Sequence, residues 1–158
     1  MWINWQEIRK LLVVWVGDKS EENLVKSLQI LKISLPKTRI SLLTFFQTWL
    51  DREWEEFLDI KILGQDPTQD LKNVTFCLSQ YQFELAIIFT QGNFSGYPSA
   101  YLCYLAGIPL RLGQGQEFGG GVFSHYFPKN EAENSSLTLL HQVGLMVQNN
   151  GFSPFFPD

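Results

Sequence analysis

Two short apolar runs constrain this chain more than any other feature. Residues 11–16 (Leu-Leu-Val-Val-Trp-Val) stop at Gly17-Asp18, and residues 84–90 (Glu-Leu-Ala-Ile-Ile-Phe-Thr) stop at Gln91-Gly92-Asn93. Neither run alternates with polar residues, so each reads as a strand buried on both faces, the kind found in parallel sheets covered by helices on each side. The remaining segments supply the helices and further strands. Leu24, Val25, Leu28, Ile30 and Leu31 recur at helical spacing as far as Leu35-Pro36, a helix of about four turns that Asp18 or Ser20 can cap. Residues 39–46 are rich in β-branched and aromatic side chains and predict a strand. Residues 49–57 predict a short helix, and 60–63 a brief strand. Residues 70–81 predict a helix with Leu71, Val74, Cys77 and Leu78 on one face. Residues 99–106 predict a helix ended by Gly107 and Pro109, and 110–112 a last short strand. Residues 113–130 hold five glycines and no apolar period, which predicts a long loop, and 134–147 predict a final helix with Leu137, Leu140, Val143 and Leu145 or Val147 inward. Strands alternating with helices in this way predict an α/β fold, a three-layer Rossmann-like domain with a mostly parallel sheet.

The 158 residues suit one domain, expected over 1–150, with an aromatic and Pro-containing tail at 151–158 that carries Phe152, Phe155 and Phe156. A composition of 45% hydrophobic and 18% charged residues is that of a globular chain and excludes a disordered or collagen-like one. No apolar run approaches the roughly 20 residues of a membrane helix, so no transmembrane segment is expected. The opening Met1-Trp2-Ile3-Asn4-Trp5 lacks the basic, apolar, small-residue order of a secretory signal, which predicts a cytoplasmic protein. A formal charge of −4 opposes the counterion release that drives nucleic-acid binding. Cys77, Cys103, His125 and His141 form no closely spaced cluster, so neither a metal site nor a cofactor is expected, and both thiols read as reduced packing residues. The aromatic share of 15% exceeds the needs of one small core and predicts that some aromatic surface meets a ligand or another protein.

In parallel sheets ligands bind outside the carboxyl ends of the strands, which directs attention to residues 17–23, 47–50, 91–99 and 113–127. A dinucleotide fingerprint needs three spaced glycines just after the first strand, and only Gly17 is there. Gly113-Gln114-Gly115 and Gly119-Gly120-Gly121 follow the last strand with the wrong spacing and open no helix. Gly92-Asn93-Phe94-Ser95-Gly96 resembles a nucleophile elbow with its serine one residue late, and Ser95 and Ser99 read better as helix caps. His125 and Tyr126 read as surface or loop-packing residues. Asp18 is the carboxylate of most interest, standing between a buried strand and a helix. As a cap it satisfies free helix amides. As a general base it faces the crevice and takes a proton from a substrate hydroxyl.

Several local phrases resemble the amino-terminal half of the family 9 glycosyltransferases, the heptosyltransferases that extend lipopolysaccharide cores. The likeness covers roughly residues 10–147. It is carried by the first strand ending in Gly17-Asp18, the Leu-rich helix running to Leu35-Pro36, and the strand at 85–89 followed by Gln91-Gly92. Most specific is the stretch 99–113, with its ending Ala106-Gly107-x-x-x-Arg111-x-Gly113. The resemblance implies the acceptor-binding half of a GT-B enzyme, acting with inversion and without an essential metal, with Asp18 in the position of the general base. The candidate substrate-binding residues are Gly17, Gln91, Gly92, Ser95, Ser99, Arg111 and Gly113. The expected ligand is a sugar or glycolipid acceptor. The domain that would hold a nucleotide-sugar lies outside these 158 residues, so the chain is expected to be inactive alone and to need a donor-domain partner or a second copy of itself. The rival readings are a protein-interaction module docking through the face left by the second domain, and an intact small enzyme using the same crevice.

Overall fold

A computed structural model describes residues 3–17, 22–44, 60–63, 71–91, 94–115, 120–128, 139–140, 145–148 and 151–154. A six-stranded, wholly parallel sheet forms its centre. In chain order the strands are β1 (Lys10–Val16), β2 (Arg39–Thr44), β3 (Ile60–Leu63), β4 (Leu85–Thr90), β5 (Leu110–Gly115) and β6 (His125–Pro128). They lie side by side as β3-β2-β1-β4-β5-β6, the doubly wound order of Rossmann domains. Helices that accompany them among the described residues are α1 (Glu22–Ser34), α2 (Leu71–Tyr81) and α3 (Tyr97–Leu105).

Because side chains alternate across a strand, the two uninterrupted apolar runs feed two separate cores. Leu11, Val13 and Trp15 of β1, with Leu85, Ile87 and Phe89 of β4, pack on one face against Leu24, Leu28 and Leu31 of α1. Leu12, Val14, Ala86 and Ile88 face the other way, toward Val74 and Leu78 of α2 and Leu102 and Cys103 of α3. β1 is flanked by β2 and β4, and residues 11–15 are all buried.

Most expected elements form within a residue or two of their predicted bounds, and the helix expected over 49–57 falls outside the described residues. The exceptions lie late in the chain. Residues 113–130, expected as one loop, instead continue β5 through Gly115, make a short 3-10 turn at Gly120–Val122 and add β6 as an edge strand. The glycines conceal this, since Gly-Gln-Gly has little strand propensity of its own and tertiary packing overrides it. α3 begins at Tyr97, two residues before the predicted start, with a proline in its first turn where a missing N–H costs nothing.

The helix expected over 134–147 is also corrected. Leu139 and Leu140 are helical, but Leu145–Gln148 is a strand, β7, paired antiparallel with β8 at Gly151–Pro154. The apolar triplet Leu145-Met146-Val147 before Asn149-Asn150-Gly151 carries a hairpin signal that outweighs the helical spacing of the leucines. The hairpin lies against α1, so the first half of the aromatic tail folds back on its own domain. No described helix is long and apolar enough to cross a membrane.

Candidate functional site

The strand order reverses between β1 and β4, and the crevice of such a sheet opens beyond the carboxyl ends of those two strands. Gly17 and Gln91 meet there. The Gln91 amide donates to the Val16 carbonyl at 2.8 Å, extending the ladder one step past β4. Gly17 lies so close that a Cβ on it would stand 2.5 Å from Gln91 Oε1, 2.8 Å from Gln91 Cβ and 3.1 Å from Trp15 Cε2. Only a residue without a side chain lets the two strands close this way. Asp18 and Gly92, the next residue on each strand, lie outside the described residues, as does His141.

The turn after β4 fixes the start of α3. The Phe94 amide donates to the Gln91 carbonyl at 3.0 Å, and Ser95 Oγ accepts from the Tyr97 amide at 3.1 Å, a serine turn that leads into the helix, whose N-cap is Gly96 and not Ser95 or Ser99. A Cβ on Gly96 would stand 3.0 Å from Ile88 Cγ2 and 3.2 Å from Thr90 Cγ2, so the amino end of α3 sits directly on the carboxyl end of β4. Ser99 is buried in that first turn. Gly17, Gln91, Ser95 and Ser99 are thus grouped near one edge of the sheet.

Arg111 does not join them, and Gly113 lies nearer, with the ring of Phe123 between it and Gly96. Arg111 pairs with Ala86, five residues before Gln91 along a parallel neighbour, which is roughly 17 Å from the crevice. Part of its guanidinium is engaged by local backbone: Nε donates to the Val122 carbonyl at 2.5 Å, and one terminal nitrogen donates to the carbonyls of Ile108 and Pro109. The same group lies over the Tyr104 ring, 5.3 Å from its centroid. Ser124 closes the knot, its hydroxyl accepting from the Arg111 amide at 2.7 Å and lying 3.0 Å from His125 Nδ1. Gly113 pairs with Ile88 and is covered by the ring of Phe123. Both residues therefore serve the packing of β5 and its following turn in this fold.

Two residues at the carboxyl edge escaped sequence reasoning. Thr44 closes β2 and Gln114 lies near the end of β5, and both are buried. The available signal was a polar residue ending an apolar run, visible at Leu42-Leu43-Thr44. Among the described residues no three His, Cys, Asp or Glu side chains gather in a way that could hold a metal ion. Burial pushes the Cys103 thiol up to about 12, against a smaller opposing pull from Arg111, so it is a protonated core residue at neutral pH. The surplus of aromatic residues surfaces mainly along α3, where Tyr97, Tyr101 and Tyr104 are exposed together with Phe94 just before the helix and Phe76 on α2.

These features define a Rossmann-like α/β domain with its crevice at the β1–β4 switch point. The fold is, more particularly, heptosyltransferase-like. All of the chain is similar to the glycosyl transferase family 9 protein from Veillonella parvula DSM 2008, with a TM-score of 0.63 and 12% identity. Over 94% of its length it is similar to the E. coli ADP-heptose lps heptosyltransferase II, again with a TM-score of 0.63 and with 16% identity. It spans 47% and 46% of those two chains, about half of a GT-B glycosyltransferase. No protein-family model matches the sequence, and no curated protein matches it.

Proposed function

We propose that this chain is the acceptor-type half of a glycosyltransferase of GT-B design, which binds a sugar or glycolipid head group at the carboxyl ends of β1 and β4. The observation that carries the reading is the match of the whole chain to about half of a family 9 enzyme, with Gly17 and Gln91 joined at the switch point. In the reaction, the acceptor hydroxyl gives its proton to the Asp18 carboxylate as its oxygen attacks the anomeric carbon of the donor. The glycosidic bond forms, the bond to the nucleoside diphosphate breaks, and that diphosphate departs with the electron pair, inverting the anomeric centre. Holding donor and acceptor in one cleft takes two domains, because positioning and phosphate stabilisation supply most of the rate. The chain alone is therefore a binding half, and a donor-binding half, in a partner or elsewhere in a longer polypeptide, completes it.

Calorimetry on the chain alone tests this reading: hexoses and heptoses are expected to bind saturably, and nucleotide-sugars not at all. Micromolar affinity for any nucleotide-sugar overturns it. In the completed transferase, Asp18→Asn is expected to preserve stability, since Asn caps as well as Asp, and to abolish turnover. Undiminished turnover in that variant leaves Asp18 with the capping role only.

A second reading, a protein-interaction module, is favoured by one observation, the exposed aromatic stripe of Phe94, Tyr97, Tyr101 and Tyr104. Sugar-independent association, lost on changing Tyr101 and Tyr104 to Ser, is its expected signature.

A further inference from the structure

The opposite edge of the sheet carries a groove of its own. It has a volume of about 380 Å³ and lies between the 3-10 turn Trp5–Glu7, which precedes β1, and the carboxyl end of α1. Trp5 and Leu35 supply its apolar part, and Gln6, Arg9, Ser34 and Lys37 its polar part. Among the described residues no acidic one lines it. Two of the described carboxylates stand nearby: the exposed Glu7, which ends the 3-10 turn, and Glu84, which accepts from the backbone amides of Arg9 and Lys10 at 2.7 and 3.1 Å and is thereby directed at β1.

Two observations mark the groove as more than a surface dent. Ser34 is 6% exposed, and its hydroxyl has no hydrogen-bond partner among the described residues. Leaving a buried hydroxyl unmet is unfavourable, and a partner for it would remove that cost. The second is charge. Arg9 spends one guanidinium nitrogen on the Gln6 carbonyl and keeps its other donors, and no described residue pairs with the Lys37 ammonium. The carbonyl end of α1 contributes about half a negative charge, which two full positive charges outweigh. The site is net positive, has a hydroxyl and an amide for neutral polar groups, and matches the lower end of small-molecule pocket volumes.

We infer that this groove binds a small organic phosphate, its phosphoryl group held by Arg9 and Lys37 and its hydroxylated body reaching Ser34 and Gln6. The inference is independent of the acceptor crevice, from which the groove is separated by the length of β1.

An NMR titration of the full chain with glucose 6-phosphate, inorganic phosphate and glucose tests it. Glucose 6-phosphate is expected to move the amide signals of Arg9, Leu35 and Lys37 saturably and more tightly than inorganic phosphate. Lys37→Gln is expected to weaken it by roughly tenfold, the effect of one charge-assisted hydrogen bond. Ser34→Ala is expected to weaken binding while leaving thermal stability equal or higher, because it deletes an unmet polar group. Equal affinity for inorganic phosphate and glucose 6-phosphate overturns the inference, as do equal shifts with glucose, shifts centred on Gly17 and Gln91, or indifference to both substitutions.

Discussion

Gly113→Ala separates packing from ligand contact in the most specific stretch of the sequence. A Cβ on Gly113 would collide with Cε1 of Phe123 and stand 2.7 Å from its Cδ1 and 2.8 Å from its Cζ, where carbon atoms prefer about 3.5–4.0 Å. The ring has little room to retreat. It is 7% exposed, its centroid lies 5.0 Å from that of Tyr126, and its Cζ also faces Gly96. Relief must come from a shift of β5 or of the turn before β6, and overpacking of this kind costs about 1–3 kcal/mol. The upper end is expected here, because the obstacle is a buried ring rather than a flexible side-chain tip. At roughly 2–4 °C per kcal/mol for a chain of this size, the melting temperature should fall by about 6–12 °C. Urea unfolding measures the cost, with the slope checked for constancy. Phe123→Leu makes room, so the double variant should cost less than the sum of the two single ones by at least about 1 kcal/mol. Stability within about 0.5 kcal/mol of the parent for Gly113→Ala, or strict additivity in the cycle, refutes the packing argument and returns Gly113 to the list of ligand contacts.

Cys103 makes a prediction about alkaline pH. Its folded value of about 12 exceeds the ordinary 9.0, so between those values the unfolded chain releases a proton that the folded chain keeps. Stability is therefore lost as pH rises through that window, by up to about 1.4 kcal/mol per pH unit, and Cys103→Ala should lose that part of the slope while keeping the contribution of other groups; parallel pH profiles contradict this. Truncation after Asn150 removes β8 and leaves β7 without its partner strand, so the melting temperature should fall with no change in sedimentation. An unchanged melting temperature, or loss of a dimer on truncation, would contradict the fold-back arrangement.

What the sequence made legible was whatever depends on local pattern. The runs ending at Val16 and Thr90 are apolar on both parities because each strand is buried on both faces, and that alone places β1 and β4 at the centre and their ends at the crevice. Gly17 and Gln91 were accessible by the same logic. Arg111 was not. Its place in a family-like phrase suggested a ligand, but Nε and one terminal nitrogen donate to the carbonyls of Ile108, Pro109 and Val122, which only the folded turns bring to it. β6 was missed because four residues ending in proline, entered from a Gly-rich stretch, have no periodicity to detect and owe their strand geometry to pairing with β5. The hairpin at the end was missed for the opposite reason. Leucines at 137, 140 and 145 fit a helical face, and helical spacing was given more weight than the turn signal beside it.

The two edges of the sheet differ in chemistry, and that difference bears on which ligand the crevice suits. The amino edge is charged: Arg9, Lys10 and Arg39 are exposed there, and Glu84 ties the start of β1 through two backbone amides. At the carboxyl edge the buried polar side chains among the described residues are uncharged: Thr44, Gln91 and Gln114, on three of the four central strands, with Gly17 completing the row on β1. A pyrophosphate site draws on close backbone amides from a glycine-rich turn and on fixed positive charge. The amide and hydroxyl side chains at this edge supply no such fixed charge. On the proposed reading the carboxyl edge meets an acceptor sugar, while the groove lined by Arg9 and Lys37 lies at the other end of β1.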